Sequence, residues 1–328
     1  MLNRFFAVCA SLTGALLWQT PSMAQAPFPD RPITMIVSYA AGGPSDTIAR
    51  ALGQSMSVSL GQPIVIENVA GAGGTAGAAR AAKAQPDGHT LLIHHLALAA
   101  GPGLYSNLAY DTLTAFEPIG LVNFNPFVLT SKKTLPVDTA KEAIEYIRAN
   151  KDKVTLGHAG VGSGSHLCNL LLQSALGIKV AEVAYRGTGP AMTDLVGGQI
   201  DFLFDQTLTA IPQIQGATIK AYAVTSGTRL DQLKDLPTMQ EAGLTRFEVT
   251  QWHALYAPAH TPKAVLEKIG MALEKALSDE AIIKRFADLG SPMFPEGKRG
   301  ASEAKAMLAS EVQKWEKVIK AAGVSGAN

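Results

Sequence analysis

Cysteine is nearly absent from this chain: its 328 residues hold two, Cys9 and Cys168. Cys9 lies inside an N-terminal stretch that reads as a cleaved leader, so the mature protein keeps one thiol and no intramolecular disulfide. Its stability must then come from a packed core, which a chain of this length can build in about two domains. Cys168 reads as a small buried hydrophobe on a helix. A charge excess is missing too. There are 28 Lys and Arg against 27 Asp and Glu, and losing Arg4 with the leader makes the two signs equal. A neutral chain presents no field to nucleic acid or to an anionic membrane surface, so neither is expected as a partner. Metal-ligand spacing is also lacking. The seven histidines are scattered, with no H-x-x-x-H pair and no cysteine cluster. No metal and no other cofactor is expected. Finally, no Gly/Ser-rich linker separates two beads, which suggests domains that share crossing strands.

What is present begins with the leader. Arg4 is the only charge before Asp30. An apolar run from Phe5 to Trp18 follows, broken by Ser11, Thr13 and Gly14, and then Pro21 and the small residues Ser22 and Ala24 around Met23. A positive start, a short apolar run and an A-x-A-like end make a secretory signal, with cleavage expected after Ala24. The run is too short for a membrane span of about 20 apolar residues. Export to the periplasm is the expectation.

After the leader, short β-branched runs alternate with Gly-rich turns and helical segments. Strands are expected over 33–38, 63–68, 90–94, 127–130, 154–158, 180–185, 200–204, 219–225 and 253–257. Helices are expected over 45–60, 74–84, 139–150, 165–176, 190–196, 262–277, 279–289 and 301–322. This alternation argues for an α/β fold built on mainly parallel sheets flanked by helices. The last helix carries Ala304, Leu308, Val312, Trp315 and Ile319 at helical spacing, an apolar stripe.

Four strand-to-helix turns share one composition. They cover residues 38–47, 71–75, 157–166 and 185–190, and each sets glycines and hydroxyl residues at a helix start. A helix start leaves unpaired N–H groups and a partial positive charge. Glycine lets a ligand approach the backbone. Such turns hold anions without any net positive charge, and in open α/β sheets ligands lie beyond the carboxyl ends of the strands. Any one of these turns, taken alone, is equally well a capped helix after a tight turn. Four in one chain point to a site.

At these turns the sequence resembles the periplasmic receptors of tripartite tricarboxylate transporters, the TctC or Bug solute-binding proteins. The resemblance rests on Gly42-Gly43-Pro44-Ser45-Asp46 with Arg50, on Ile66-Glu67-Asn68 followed by Gly71-Ala72-Gly73-Gly74, and on Pro86-Asp87-Gly88. It continues through Tyr185-Arg186-Gly187 and Gly197-Gly198-Gln199-Ile200-Asp201, and covers essentially the whole mature chain. It implies a two-domain, type II periplasmic-binding fold that closes on a small carboxylate: residues 25–123 with 253–328 as one domain, and 124–252 as the other. It implies a monomer whose partners are the ligand and the membrane subunits of such a transporter. Carried over residue by residue, the ligand would meet Tyr39, Ala41, Gly42, Ser45 and Asp46 on one side and Ser163, Ser165 and His166 on the other. Arg186, Thr188 and Asp205 would line the second domain's wall. The adjacent His94 and His95 depart from the small polar residues of relatives. Their side chains point to opposite faces of an extended segment, so one can face the cleft. A cleft-facing histidine would donate to a second carboxylate or stack on a ring, which favours a dicarboxylate, phthalate-type aromatic diacids included. An equally good reading gives the pair only local hydrogen bonds at a strand end.

Two enzyme readings compete with the receptor. Gly71-x-Gly73-x-x-Ala76 opens a helix after a strand, as a dinucleotide fingerprint does. The acidic residue wanted at the end of the next strand is replaced by His94-His95. A secreted hydrolase would use Ser163, Ser165 and His166, yet Gly160-Val161-Gly162-Ser163-Gly164 lacks the G-x-S-x-G order of a nucleophile elbow. The chain is therefore expected to bind a ligand and not to transform it.

Overall fold

The computed structural model describes residues 28–321 and 323. The leader and its cleavage site lie outside them. The first wing of the molecule holds three parallel strands, β1 (Ile33–Val37), β2 (Ile64–Asn68) and β3 (Thr90–His95), in the order β2-β1-β3. Helices α1 (Pro44–Leu60), α2 (Thr75–Ala82) and α3 (Leu96–Leu104) follow these strands in turn. The chain then enters β4 (Phe116–Lys132), a single strand of 17 residues.

The second wing contains α4 (Ala140–Ala149), β5 (Thr155–His158), α5 (Gly164–Leu176), β6 (Ala181–Ala184), α6 (Thr188–Val196), β7 (Phe202–Gln206), α7 (Thr207–Gln215) and β8 (Ile219–Val224). Strand β9 (Thr250–Pro258) returns to the first wing, which α8 (Lys263–Leu277), α9 (Glu280–Asp288) and α10 (Ala301–Ala321) complete. Among the described residues no helix is long and apolar enough to cross a membrane.

One path joins all of this. The sheet order is β2-β1-β3-β9-β4-β7-β5-β6, with β8 also paired to β4. The parallel pairings expected from the βα alternation lie in the wings, β1 with β2 and β3, and β5 with β6 and β7. The centre is antiparallel. Over residues 116–126, β4 pairs with β9, and from Phe127 onward it pairs with β7 and β8. Two strands thus run from wing to wing. Pro118, Gly120 and Pro126 hide the first part of β4 in the sequence, and its ladder slips its register at Pro118/Gly120 and again at Leu121/Phe124. Bulges of this kind accommodate residues that a regular ladder rejects.

Local signals account for the helix ends. Thr139 and Glu142 form a capping box at α4, and Asp279 caps α9 through Ala281 and Ile282, which satisfies N–H groups a helix start leaves open. The stripe on α10 is buried at all five expected positions. Helices α3 and α7 carry Pro102 and Pro212 inside them. Those prolines, and an apolar composition with little periodicity, leave both helices without a sequence signal.

Candidate functional site

The carboxyl ends of both parallel wings face one another across the crossing strands. Between them lies a nearly closed chamber with about 10 Å³ of free volume. Tyr39, Ser45, Asp46 and His95 line it from the first wing, and Ser163, Ser165, Thr188 and Gln206 from the second. Phe127 of β4 and Gln251 of β9 line it from the crossing strands.

Helix α1 begins at Pro44 after an extended Gly43, with no side-chain cap. Proline suits this position because its missing N–H is one that the helix could not use. Ser45 does not cap. Its Oγ lies 3.0 Å from His253 Nε2. Asp46 lines the chamber with its carboxylate already engaged: it accepts from Gly42 N–H, from Asn68 Nδ2 and from Arg50 Nε and Nη2. Burial pushes its carboxyl up, but these bonds outweigh burial and hold it below the usual range. Helix α6 also starts uncapped, behind Gly187. The two uncapped starts meet from opposite wings: Ala40 N–H donates to Arg186 O at 2.9 Å, and a Cβ on Gly189 would come within 2.6 Å of Ala41 O.

Helix α5 differs. Ser163 caps it by accepting from His166 N–H, and Ser165 Oγ accepts from Ala159 N–H. The two hydroxyls lie 3.1 Å apart. One hydroxyl donates to the other, which leaves the pair one O–H proton for a donor role.

Three histidines and Tyr39 form the first wing's floor. His94 and His95 take opposite sides of β3. His94 Nδ1 accepts from His95 N–H while Nε2 reaches Gly74 O at 3.3 Å. His95 lines the chamber, and its Nδ1 accepts from Ala97 N–H. That bond fixes the proton on Nε2 in the neutral ring. Tyr39 stacks on one face of His95 at 4.7 Å, and the edges of His94 and His253 meet it at 5.1 and 5.4 Å. Tyr39 O–H donates to Gly73 O. Burial holds all three histidines below their ordinary pKa, His94 at about 4 and His253 at about 3, with His95 well below. The cluster is neutral at physiological pH, and among the described residues no side-chain cation lines the chamber.

Seven of the residues expected from the sequence meet here: Tyr39, Ser45, Asp46, His95, Ser163, Ser165 and Thr188. Six others sit elsewhere. Ala41 and Gly42 form the exposed tip of their turn. His94 lies behind His95. Arg186 has an exposed side chain and contributes only its carbonyl, to Ala40. Asp205 is fully buried behind β7, where it accepts from Gln206 N–H and Thr209 O–H, and burial raises it to about 7. His166 turns under α5 beside His158, with ring centroids 4.7 Å apart. Gln206 and Gln251 are additions that the sequence does not announce. Both lie on strands, outside any glycine-rich turn, so the turn composition carries no signal for them.

His158, His166 and Glu182 bring possible ligand atoms within 4.8 Å of one another, a cluster the scattered sequence positions do not reveal. Their chemistry does not suit a metal. Nδ1 of His158 accepts from Gly160 N–H, and Nδ1 of His166 accepts from Gly162 N–H. Both protons therefore sit on Nε2. A metal at Nε2 would need the proton on Nδ1, facing a second N–H. Metal-binding histidines instead donate their other N–H to an acceptor.

A two-winged α/β molecule with its crossing strands at the floor of a polar chamber is a solute-binding protein of the periplasmic type. Residues 48–324 match the family described as tripartite tricarboxylate transporter family receptor. The chain belongs to that family. It is 44% identical over 323 residues to an Agrobacterium vitis protein described as a UPF0065 protein in the TAR-I ttuE-ttuC' intergenic region, covering 98% of this chain and 92% of that one. Among solved structures it is similar to the periplasmic binding protein BugD, at 42% identity and a TM-score of 0.89, covering 92% of this chain and 100% of that one. It is also similar to MatC of Rhodopseudomonas palustris with bound malate, at 38% identity and a TM-score of 0.86, covering 89% and 100%.

Proposed function

We propose that this protein captures a small organic dicarboxylate in the chamber between its wings, in the periplasm, and hands it unchanged to the membrane subunits of a tripartite transporter. The observation that carries the reading is the convergence of two uncapped helix starts, α1 and α6, on a chamber lined by hydroxyls and, among the described residues, free of side-chain cations. Uncapped N–H groups and a helix dipole favour an anion. Ser45, Thr188 and the pair of Ser163 and Ser165 add donors, and His95 adds its Nε2–H. Hydrogen bonds to a charged group contribute about 1.5–3 kcal/mol each, so several suffice for micromolar binding, near −8 kcal/mol, after ordering costs. The neighbour MatC holds malate, a four-carbon diacid.

The wings would act as two domains, 25–123 with 253–328 and 124–252, moving about β4 and β9 as a monomer. Ligand enters when they part, and closure excludes water and strengthens each charged bond. Aliphatic diacids suit the chamber better than phthalate-type ones, because Tyr39, His94 and His253 already surround the His95 ring. A hydrolytic role finds little support. Ser45 and His253 make a serine–histidine pair, but His253 Nδ1 has no partner to orient it, and burial holds the ring near pKa 3, too weak a base.

Thermal unfolding against a panel of aliphatic and aromatic mono- and diacids, amino acids, sugars and NAD tests this reading. A ligand at 100 times its Kd adds roughly 2.7 kcal/mol, a shift of several degrees in a protein of this size. A shift confined to diacids, with the diacid recovered intact, supports the receptor. A shift with NAD, or turnover of any compound, overturns it.

A further inference from the structure

Gln251 is 1% exposed and lines the chamber, yet neither its Nε2 nor its Oε1 has a hydrogen-bond partner. It stands on β9, opposite Asn125 of β4. Buried amide atoms are rarely left unpaired, because each loses its water without compensation. Gly164 allows the Gln251 amide and the Phe127 ring to pack directly against the start of α5. A Cβ on Gly164 would come within 2.7 Å of Gln251 Oε1 and overlap the Phe127 ring.

Asn125, which faces it across the ladder, does not satisfy the amide. Asn125 Nδ2 is spent on Gln206 Oε1 at 2.6 Å, and Asn125 Oδ1 is itself unpaired. Turning Gln251 so that its NH2 met Asn125 Oδ1 would still leave Oε1 without a donor. A carboxylate has no proton to give it. A ligand that brings a donor besides its carboxylates would complete the bonding of this amide.

That donor is uncharged. An ammonium group buried here would need an acceptor charge, and the carboxylate that lines the chamber, Asp46, is committed to Arg50, Asn68 and Gly42. Isolated charges are costly to bury. A hydroxyl both donates and accepts, as a carboxamide does. We infer that Gln251 reads a hydroxyl on the ligand, and that the protein selects hydroxy-diacids over amino-diacids of the same skeleton. This inference rests on the dicarboxylate reading above.

Two matched series test it by calorimetry on the intact protein: succinate, malate and aspartate, and glutarate, 2-hydroxyglutarate and glutamate. Within the series that binds, the hydroxy acid should bind at least tenfold more tightly than the unsubstituted diacid, and the amino acid more weakly than either. In Gln251→Leu the hydroxyl's advantage should shrink to about twofold. In Gln251→Glu the preference should move toward the amino acid, because a carboxylate now meets the ammonium. Equal affinity for hydroxylated and unsubstituted diacids, an unchanged ratio in Gln251→Leu, or tight binding of the amino acid by the native protein would each overturn the inference while leaving the receptor intact. Failure of both series, with binding of a non-acid, would remove the receptor reading and this inference together.

Discussion

Helices α1 and α5 begin in the same way on paper, with glycines, a serine and a strand just before them. In the structure they do opposite things. α5 satisfies itself: Ser163 caps it and Ser165 ties down the turn. α1 has no cap, and Ser45 is held off the helix end by His253. One start is finished, and the other keeps its N–H donors without a side-chain cap. An anion-binding turn is thus recognised by the donors it leaves over, and composition alone does not count those. The remaining two turns divide similarly. α6 starts uncapped beside α1. The turn before α2 is a contact between wings, where Tyr105 O–H bridges Ala72 O and Val161 O.

The largest effect should come from breaking that contact. Gly73 has φ +59, a conformation side chains rarely adopt, and a Cβ there would overlap Val161 O of the opposite wing. Gly73→Ala should keep the wings from meeting. The expected result is at least a hundredfold loss of ligand affinity and no compaction by X-ray scattering at saturating diacid. Native compaction in this variant would refute the assignment of the turn to closure.

Much of the fold was legible because its signals are local. Alternating strands and helices and the α10 stripe follow from periodicity and turn residues, whereas the division into two wings came with the family resemblance. The first part of β4 was not, because prolines and a glycine interrupt it and its pairing comes from β9, more than a hundred residues away. The site was half legible. Residues in turns, such as Ser45, Ser163 and Thr188, are marked by composition. Gln206 and Gln251 gain their place only when two distant strands lie side by side. Arg186 and Asp205 show the converse: the right residue types near the right turns, with side chains directed elsewhere by packing.

Acid should weaken both wings together. His94, His95 and His253 in one wing, and His158 and His166 in the other, all lie below their ordinary pKa because burial disfavours the charged ring. A depressed pKa leaves stability intact above the unfolded value of about 6.5, and below it protons favour the unfolded chain. Stability should fall as pH drops from about 6.5 toward 3–4, by a few kcal/mol in total, since each tenfold loss of proton affinity on folding costs about 1.4 kcal/mol once the unfolded ring is protonated. Denaturant unfolding at pH 7 and pH 4.5 measures it. Equal stability at both would mean the rings are hydrated in solution.

The smallest and sharpest test separates the two helix starts by paired substitutions. Ser163→Ala removes a cap and should lower unfolding free energy by about 1 kcal/mol, with a lesser loss of affinity. Ser45→Ala removes a donor that stabilises no helix end. It leaves His253 Nε2 without its partner, so it should cost the unliganded protein about 1 kcal/mol as well, and it should weaken diacid binding about tenfold, the equivalent of one charge-assisted hydrogen bond. Calorimetry and thermal melts on both variants give the two numbers for each. If Ser45→Ala loses stability and keeps affinity while Ser163→Ala does the reverse, then the finished start is α1, and the ligand belongs on α5.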